Sequence, residues 1–139
     1  MKTKPVNKKF KKFVKEWIYT YSKLIDSPWH MGDIRYMVET KSKDGNTTLA
    51  EIYVDSFYLV ANYSIYPELE ILWKKDPAQA KEKLAHEVAH IITHKLHELS
   101  ICSYKGEEEV KEAWESTTEI IGRLINRYEE AKKKSPNQQ

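Results

Sequence analysis

The chain has 139 residues, a length typical of one domain, and 40% of them are hydrophobic, which is enough for one core. Its formal net charge of +2, from 23 basic and 21 acidic residues, excludes a highly charged disordered chain and disfavours a nucleic-acid-binding protein. We therefore expect one domain over residues 1–139, disordered tails at residues 1–7 and 132–139, and no nucleic acid partner.

The first predicted element is an amphipathic helix over residues 8–25. Apolar residues from Phe10 to Ile25 recur at the i, i+3, i+4, i+7 spacing that lines one face of a helix. The sequence Asp26-Ser27-Pro28 predicts the end of this helix. We expect its aromatic-rich face to pack in the core, with packing on a partner protein as the alternative.

Over residues 34–72 the pattern changes to the alternation and β-branched content typical of strands. Asp44-Gly45 marks a tight turn between two of these segments, and Pro67 indicates a break or an edge. The pattern predicts an antiparallel β-meander of three or four strands. The strands are expected at Ile34–Val38, Leu49–Val54, Phe57–Ile65 and, as the fourth, Glu68–Leu72.

Two long helices are predicted to follow, which makes the fold class α+β. Asp76-Pro77 is a strong helix start, with Asp as the N-cap and Pro at the first helical position, and this helix should run to about Leu99. A last helix should begin at Glu107, with acids at the positive end of its dipole. Its apolar face is expected to comprise Val110, Ala113, Trp114, Thr117, Ile121, Leu124 and Tyr128.

The sequence His-Glu-Val-Ala-His at residues 86–90 is the most informative motif of the chain. On a helix, His86 and His90 lie one turn apart on the same face, where two imidazoles can bind one zinc ion. Glu87 follows the first histidine and can act as the general base toward the attacking water without binding the metal. The motif therefore predicts a metal-dependent hydrolase.

A catalytic zinc site usually has three protein ligands, and the residues leave several candidates for the third. His94 lies too far along the same helix to complete a tetrahedral site, and His97 would require a helix break that the sequence does not show. The other candidates are acids of the last helix. They are Glu108, Glu112, Glu115 and Glu119.

On these residues the chain resembles the gluzincins, the thermolysin-like zinc peptidases. Gluzincins carry the His-Glu-x-x-His helix and a later helix with a ligand glutamate followed four residues on by an acid. The resemblance implies Glu115 as the third zinc ligand and Glu119 as the acid that orients a ligating histidine. Glu112 is the alternative ligand, because an alanine follows it as in the family, but that register puts Ser116 at the acid position. The chain departs from the family at Trp114, where gluzincins often have Asn, and at Glu119, where they usually have Asp.

The order of elements over residues 10–130 is also similar to that of very small gluzincins and of phage or prokaryotic cytosolic metallopeptidases of the ImmA/IrrE kind. This resemblance implies a zincin-like peptidase that acts on a peptide or protein substrate. In such peptidases an edge strand binds extended substrate, and we expect Ala61–Ile65 to be that strand. Tyr104, His97 and Tyr128 are candidates for stabilising the oxyanion, and the sequence selects none of them.

Two alternatives to an active peptidase remain open from the sequence: a catalytically inactive, zinc-stabilised regulatory module and a metal-free helical interaction domain. The intact Glu87 argues against the first, because a purely structural zinc site does not need a general base. Cys102 is the single cysteine, so the chain cannot form an internal disulfide, as expected in a reducing cytosol. No signal peptide or membrane span is apparent, and we expect a cytoplasmic location.

Overall fold

The computed structural model describes residues 5–24, 30–55, 60–101 and 106–134. The described residues form an α+β fold with an N-terminal helix, two small sheets and C-terminal helices, which confirms the predicted class. The elements in chain order are α1 (Lys8–Leu24), β1 (His30–Tyr36), β2 (Lys41–Lys43), β3 (Asn46–Thr48), β4 (Ala50–Asp55), β5 (Val60–Ile65), α2 (Pro67–Lys75), α3 (Pro77–Ile101) and α4 (Glu107–Lys134).

Helix α1 forms as predicted and buries its apolar face in the protein's own core. Asn7 precedes the helix, and its side-chain oxygen accepts a hydrogen bond from the Lys9 backbone N–H at 2.8 Å. The residues of α1 that are almost fully buried are Phe10, Val14, Ile18 and Tyr21. The structure therefore favours the core-packing alternative for this helix. The predicted helix end at residues 26–28 lies outside the described residues.

The predicted antiparallel meander is wrong in its strand order. The main sheet has the order β1-β5-β4, in which β1 runs parallel to β5 and β4 runs antiparallel to it. Strand β5 is therefore the central strand, and one of its faces is buried through Ala61, Tyr63 and Ile65. Alternation along a strand indicates which residues share a face, but it does not determine which strand lies beside which.

The tight turn at Asp44-Gly45 is present, but it joins the short strands β2 and β3 instead of the strands of the main sheet. Both turn residues have positive φ, 52° at Asp44 and 77° at Gly45, as a two-residue hairpin turn requires. The segment predicted as a fourth strand, Glu68–Leu72, is part of helix α2, and Pro67 is the first residue of that helix.

The two long helices α3 and α4 pack against each other and carry the motif residues. Asp76 caps α3 as predicted, since its carboxylate accepts a hydrogen bond from the Gln79 backbone N–H at 3.2 Å. Helix α4 begins at Glu107 as predicted and continues to Lys134, so the expected C-terminal tail is helical over residues 132–134.

The apolar face predicted for α4 is partly wrong. The buried residues of α4 are Val110, Thr118, Gly122 and Glu129. Leu124 and Tyr128, which were expected on the apolar face of this helix, are 58% and 57% exposed. Among the helices of the described residues, none combines the length and apolar character needed to cross a membrane.

Candidate metal centre

Helix α3 presents the two motif histidines on the face that packs against α4. His86 and His90 lie one helical turn apart, and their ring centroids are 4.8 Å apart. His90 is 6% exposed, and the side chain of His86 is 17% exposed. Both imidazoles are thus largely removed from water at the interface between the two helices.

Helix α4 brings Glu115 against both histidines. One carboxylate oxygen of Glu115 lies 3.3 Å from His86 Nε2, and the other lies 3.6 Å from His90 Nε2. The alternative ligand Glu112 is exposed, as is Glu108. Of the four acids considered from the sequence, Glu115 is the one whose carboxylate meets both Nε2 atoms.

The other ring nitrogen of His86 has its own acidic partner. His86 Nδ1 lies 2.6 Å from a carboxylate oxygen of Glu119, which is the pairing implied by the family resemblance. The second oxygen of Glu119 accepts a hydrogen bond from Arg123 Nε at 3.1 Å. Glu119 therefore holds the ring so that Nε2 faces Glu115.

His90 is oriented by a buried hydroxyl network that the sequence did not reveal. Thr118 donates its hydroxyl to the Trp114 carbonyl at 2.8 Å, so its oxygen can accept from His90 Nδ1, 3.3 Å away. The Trp114 indole N–H donates to Thr93 Oγ1 at 2.9 Å, and the two threonine hydroxyls are 2.7 Å apart. The network places the proton of a neutral His90 on Nδ1 and leaves the Nε2 lone pair directed at Glu115.

Burial and neighbouring charges shift the pKa values of the two histidines in opposite directions. Burial lowers the pKa of His90 to about 4, although the charge of Glu115 acts in the opposite direction. Burial also acts to lower the pKa of His86, but the hydrogen bonds and charges of Glu115, Glu87 and Glu119 outweigh it and raise that pKa. The hydrogen bond from His86 lowers the pKa of Glu115. The acidic neighbours therefore favour the charged form of His86, whereas burial favours the neutral form of His90.

The donor atoms fit a zinc ion. Ligand atoms of His86, His90 and Glu115 all lie within 4.8 Å of one another. Two ligand atoms about 2.1 Å from a tetrahedral zinc ion are about 3.4 Å apart. The two histidine Nε2 atoms lie at similar distances, 3.3 Å and 3.6 Å, each from a different carboxylate oxygen of Glu115. A set of two histidines and one carboxylate is one that zinc accepts.

Glu87 lies between the histidine cluster and strand β4. Burial raises the pKa of Glu87 to about 8, against the charge of His86. The backbone N–H of Ile52 donates a hydrogen bond to the Glu87 carboxylate. Glu87 lines the same cleft as His86 and Glu115, and this cleft has a volume of about 670 Å³.

Strand β4 forms one wall of the cleft, and on one of its edges no described residue pairs with it. Within the described residues β4 pairs only with β5, so the expectation that Ala61–Ile65 is the edge strand is wrong. The Leu49 carbonyl accepts from the Tyr66 N–H on the β5 side. Because backbone groups alternate along a strand, those of Ala50, Ile52 and Val54 face the opposite edge.

The other candidate residues from the sequence differ in whether they line the cleft. His94 and His97 line the cleft, and the His97 ring stacks on Trp114 with centroids 3.8 Å apart. Neither belongs to the three-residue ligand cluster found among the described residues. Tyr128 is exposed and does not line this cleft, and Tyr104 and Cys102 lie outside the described residues.

Sequence reasoning missed three residues that position the cluster, Thr93, Thr118 and Gly122. At Gly122, an added Cβ atom would lie 2.9 Å from His86 Cα. Gly122 thus lets the backbones of α3 and α4 approach closely enough for Glu115 to reach the histidines. Neither a threonine hydroxyl nor a mid-helix glycine carries a spacing signal, although a glycine inside a helical pattern does indicate a packing reason.

Replacing Thr118 by Val is expected to weaken zinc binding about 10- to 100-fold, the usual effect of losing a group that orients a ligand. The substitution keeps the shape of the side chain and removes the acceptor of the His90 Nδ1 proton. Competition with a chromogenic chelator measures the zinc affinity. The control is Thr117→Val, because exposed Thr117 makes the same backbone bond to residue i−4 without contacting a histidine. Equal affinities in the two variants would contradict the orienting role of Thr118.

Three comparisons were made with known proteins, against family models, curated proteins and solved structures. None of them found a significant match for this chain.

Proposed function

We propose that this protein is a zinc-dependent peptidase with a zincin-like fold of the gluzincin type. The observation that carries the proposal is the convergence of His86, His90 and Glu115 on one point, with Glu87 beside them in the same cleft. His86, His90 and Glu115 would bind the zinc ion, and Glu119 and Thr118 would orient the two histidines.

When bound, zinc would polarise the substrate carbonyl and make water more acidic. In its ionised form Glu87 would take the proton from the water that attacks the carbonyl and pass it to the leaving amine, and a cation bound by His86, His90 and Glu115 would favour that ionised form. The hydrogen bond from the Ile52 N–H fixes the Glu87 carboxylate at the wall of the cleft. Glu87 is placed to move a proton and is not part of the ligand cluster, as a general base requires.

The edge of β4 that faces away from β5 supports a peptide as the substrate class. An extended peptide can add a strand to the sheet by pairing with the outward backbone groups of Ala50 and Val54 and with the Ile52 carbonyl, while the Ile52 N–H stays bound to Glu87. In this position the peptide would run along the cleft that contains Glu87 and Glu115. A cytoplasmic location remains part of the proposal, supported by the single cysteine at residue 102.

The proposal is tested by metal analysis of protein purified without added metal. We expect about one zinc ion per chain in the wild type and in Glu112→Ala, and loss of zinc in His86→Ala and Glu115→Ala, because each of these removes one of three ligands. Inductively coupled plasma mass spectrometry provides the measurement. Glu112→Ala is the matched comparison, since Glu112 lies one turn from Glu115 on the same helix and is exposed.

Three outcomes would count against the proposal. Loss of zinc in Glu112→Ala with retention in Glu115→Ala would move the third ligand by one turn of α4. Absence of zinc from the wild type, even after reconstitution, would remove the metal site. Zinc binding without hydrolysis of any member of a broad peptide library would favour the inactive, zinc-stabilised module.

A further inference from the structure

Helix α4 carries an exposed apolar stripe on a side that does not face the metal centre. Its large members are Ile120, Leu124 and Tyr128, which are 60%, 58% and 57% exposed. Single exposed apolar residues are ordinary, but these three recur one helical turn apart along one line of the helix. Together with smaller exposed residues along the same line, they form a surface that we call the α4 stripe. It comprises Ala113, Thr117, Ile120, Leu124, Tyr128 and Ala131.

The α4 stripe is complementary to itself when two copies of the helix run antiparallel. If the two-fold axis lies level with Gly122, Ile120 faces Leu124 of the second copy and Thr117 faces the second copy's Tyr128. The bulky tyrosine then meets a small residue, and Ala113 meets Ala131 at the ends. A two-fold symmetric interface between two identical chains requires self-complementarity of this kind.

The charges at the ends of α4 select the antiparallel direction. The helix begins with the acids Glu107–Glu109 and ends with the bases Lys132–Lys134. An antiparallel pair places Glu109 of one copy beside Lys134 of the other, whereas a parallel pair would set the two acidic runs beside each other. The opposed helix dipoles favour the same direction. Glu109 and Lys134 are both exposed, so both can contact a second copy.

We infer that the α4 stripe is the contact surface of a homodimer, in which α4 packs antiparallel against α4 of a second copy. Helix α4 has 28 residues, so the contact can extend over about 42 Å. Glu115 and Glu119 lie on another side of the helix, against α3, so both metal centres stay accessible in the dimer. The inference does not depend on the proposed peptidase function.

Sedimentation velocity of the full chain tests the inference. From about 1 µM to about 300 µM, the wild type is expected to shift from the mass of one chain toward that of two, as mass action requires. Leu124→Glu should weaken association at least about 10-fold, because it sets a charge at the centre of the apolar contact. The matched control is Ile71→Glu on α2, which is also exposed, at 65%, and should associate like the wild type.

A charge exchange tests the direction of packing. Glu109→Lys and Lys134→Glu should each weaken the dimer about 3- to 10-fold, because the symmetric contact loses two ion pairs. The double variant Glu109→Lys/Lys134→Glu should restore association. A wild type that stays monomeric, or a Leu124→Glu variant that dimerises like the wild type, would overturn the inference. Failure of the double variant to recover would overturn the antiparallel arrangement.

Discussion

Replacing Glu87 by Gln is expected to lower kcat/KM for peptide hydrolysis about 10²- to 10⁴-fold while the zinc ion stays bound. The amide keeps the size of the side chain but cannot accept the proton of the attacking water. Zinc should remain, because Glu87 is not part of the ligand cluster formed by His86, His90 and Glu115. Hydrolysis of a fluorogenic peptide library and metal analysis of the same sample give the two readings.

Glu82→Gln is the matched control for this experiment. Glu82 lies on the same helix α3 and is exposed, so its replacement should change neither hydrolysis nor zinc content. Wild-type hydrolysis by the Glu87→Gln variant would show that another group acts as the base. Loss of zinc from that variant would instead make Glu87 part of the metal site.

The local part of the site could be predicted from the sequence, because it depends only on helical spacing. The i, i+4 arrangement of His86 and His90 and the i, i+4 arrangement of Glu115 and Glu119 are properties of single helices. The structure places the first pair against the second, in the register that the family resemblance implied. That the cluster binds zinc and hydrolyses peptides remains a prediction.

The strand order of the main sheet could not be predicted from the spacing of residues within single elements. The Asp44-Gly45 turn forms as the sequence indicates, yet it closes its own two-stranded ribbon, and β1 then pairs with β5. Which strands become neighbours depends on the path of the chain and on packing beneath the sheet, and neither is encoded in alternation. The strand expected to bind substrate was consequently placed at β5, which is the central strand of the main sheet, between β1 and β4.

The error in the apolar face of α4 has a related cause. The helix is apolar on more than one side, and the periodicity includes both the side buried against α3 and the exposed stripe with Leu124 and Tyr128. The side that is buried is centred on Thr118 and Gly122, which hydropathy would not select. These residues are needed there because the site requires a hydroxyl acceptor for His90 and a close backbone approach at His86.

The close approach at Gly122 leads to the second large expected effect. Gly122→Ala should lower the free energy of unfolding by about 1–3 kcal/mol, although alanine in a helix interior normally stabilises by about 1 kcal/mol relative to glycine. The added Cβ would lie 2.9 Å from His86 Cα and 3.0 Å from His86 N, and these are backbone atoms that cannot rotate away. Urea denaturation of the metal-free protein measures the change.

Zinc affinity should fall in the same variant, because α4 can relieve the contact only by moving away from α3. Glu119 and Glu115 lie about one and two turns before Gly122 on α4, so this movement would draw both carboxylates away from His86. Ser116→Ala is the control, since Ser116 is exposed on the same helix and should gain a few tenths of a kcal/mol from helix propensity alone. Gly122→Ala could instead raise the free energy of unfolding as Ser116→Ala does and leave the zinc affinity unchanged. That result would show that the close packing of α3 and α4 does not position the ligands.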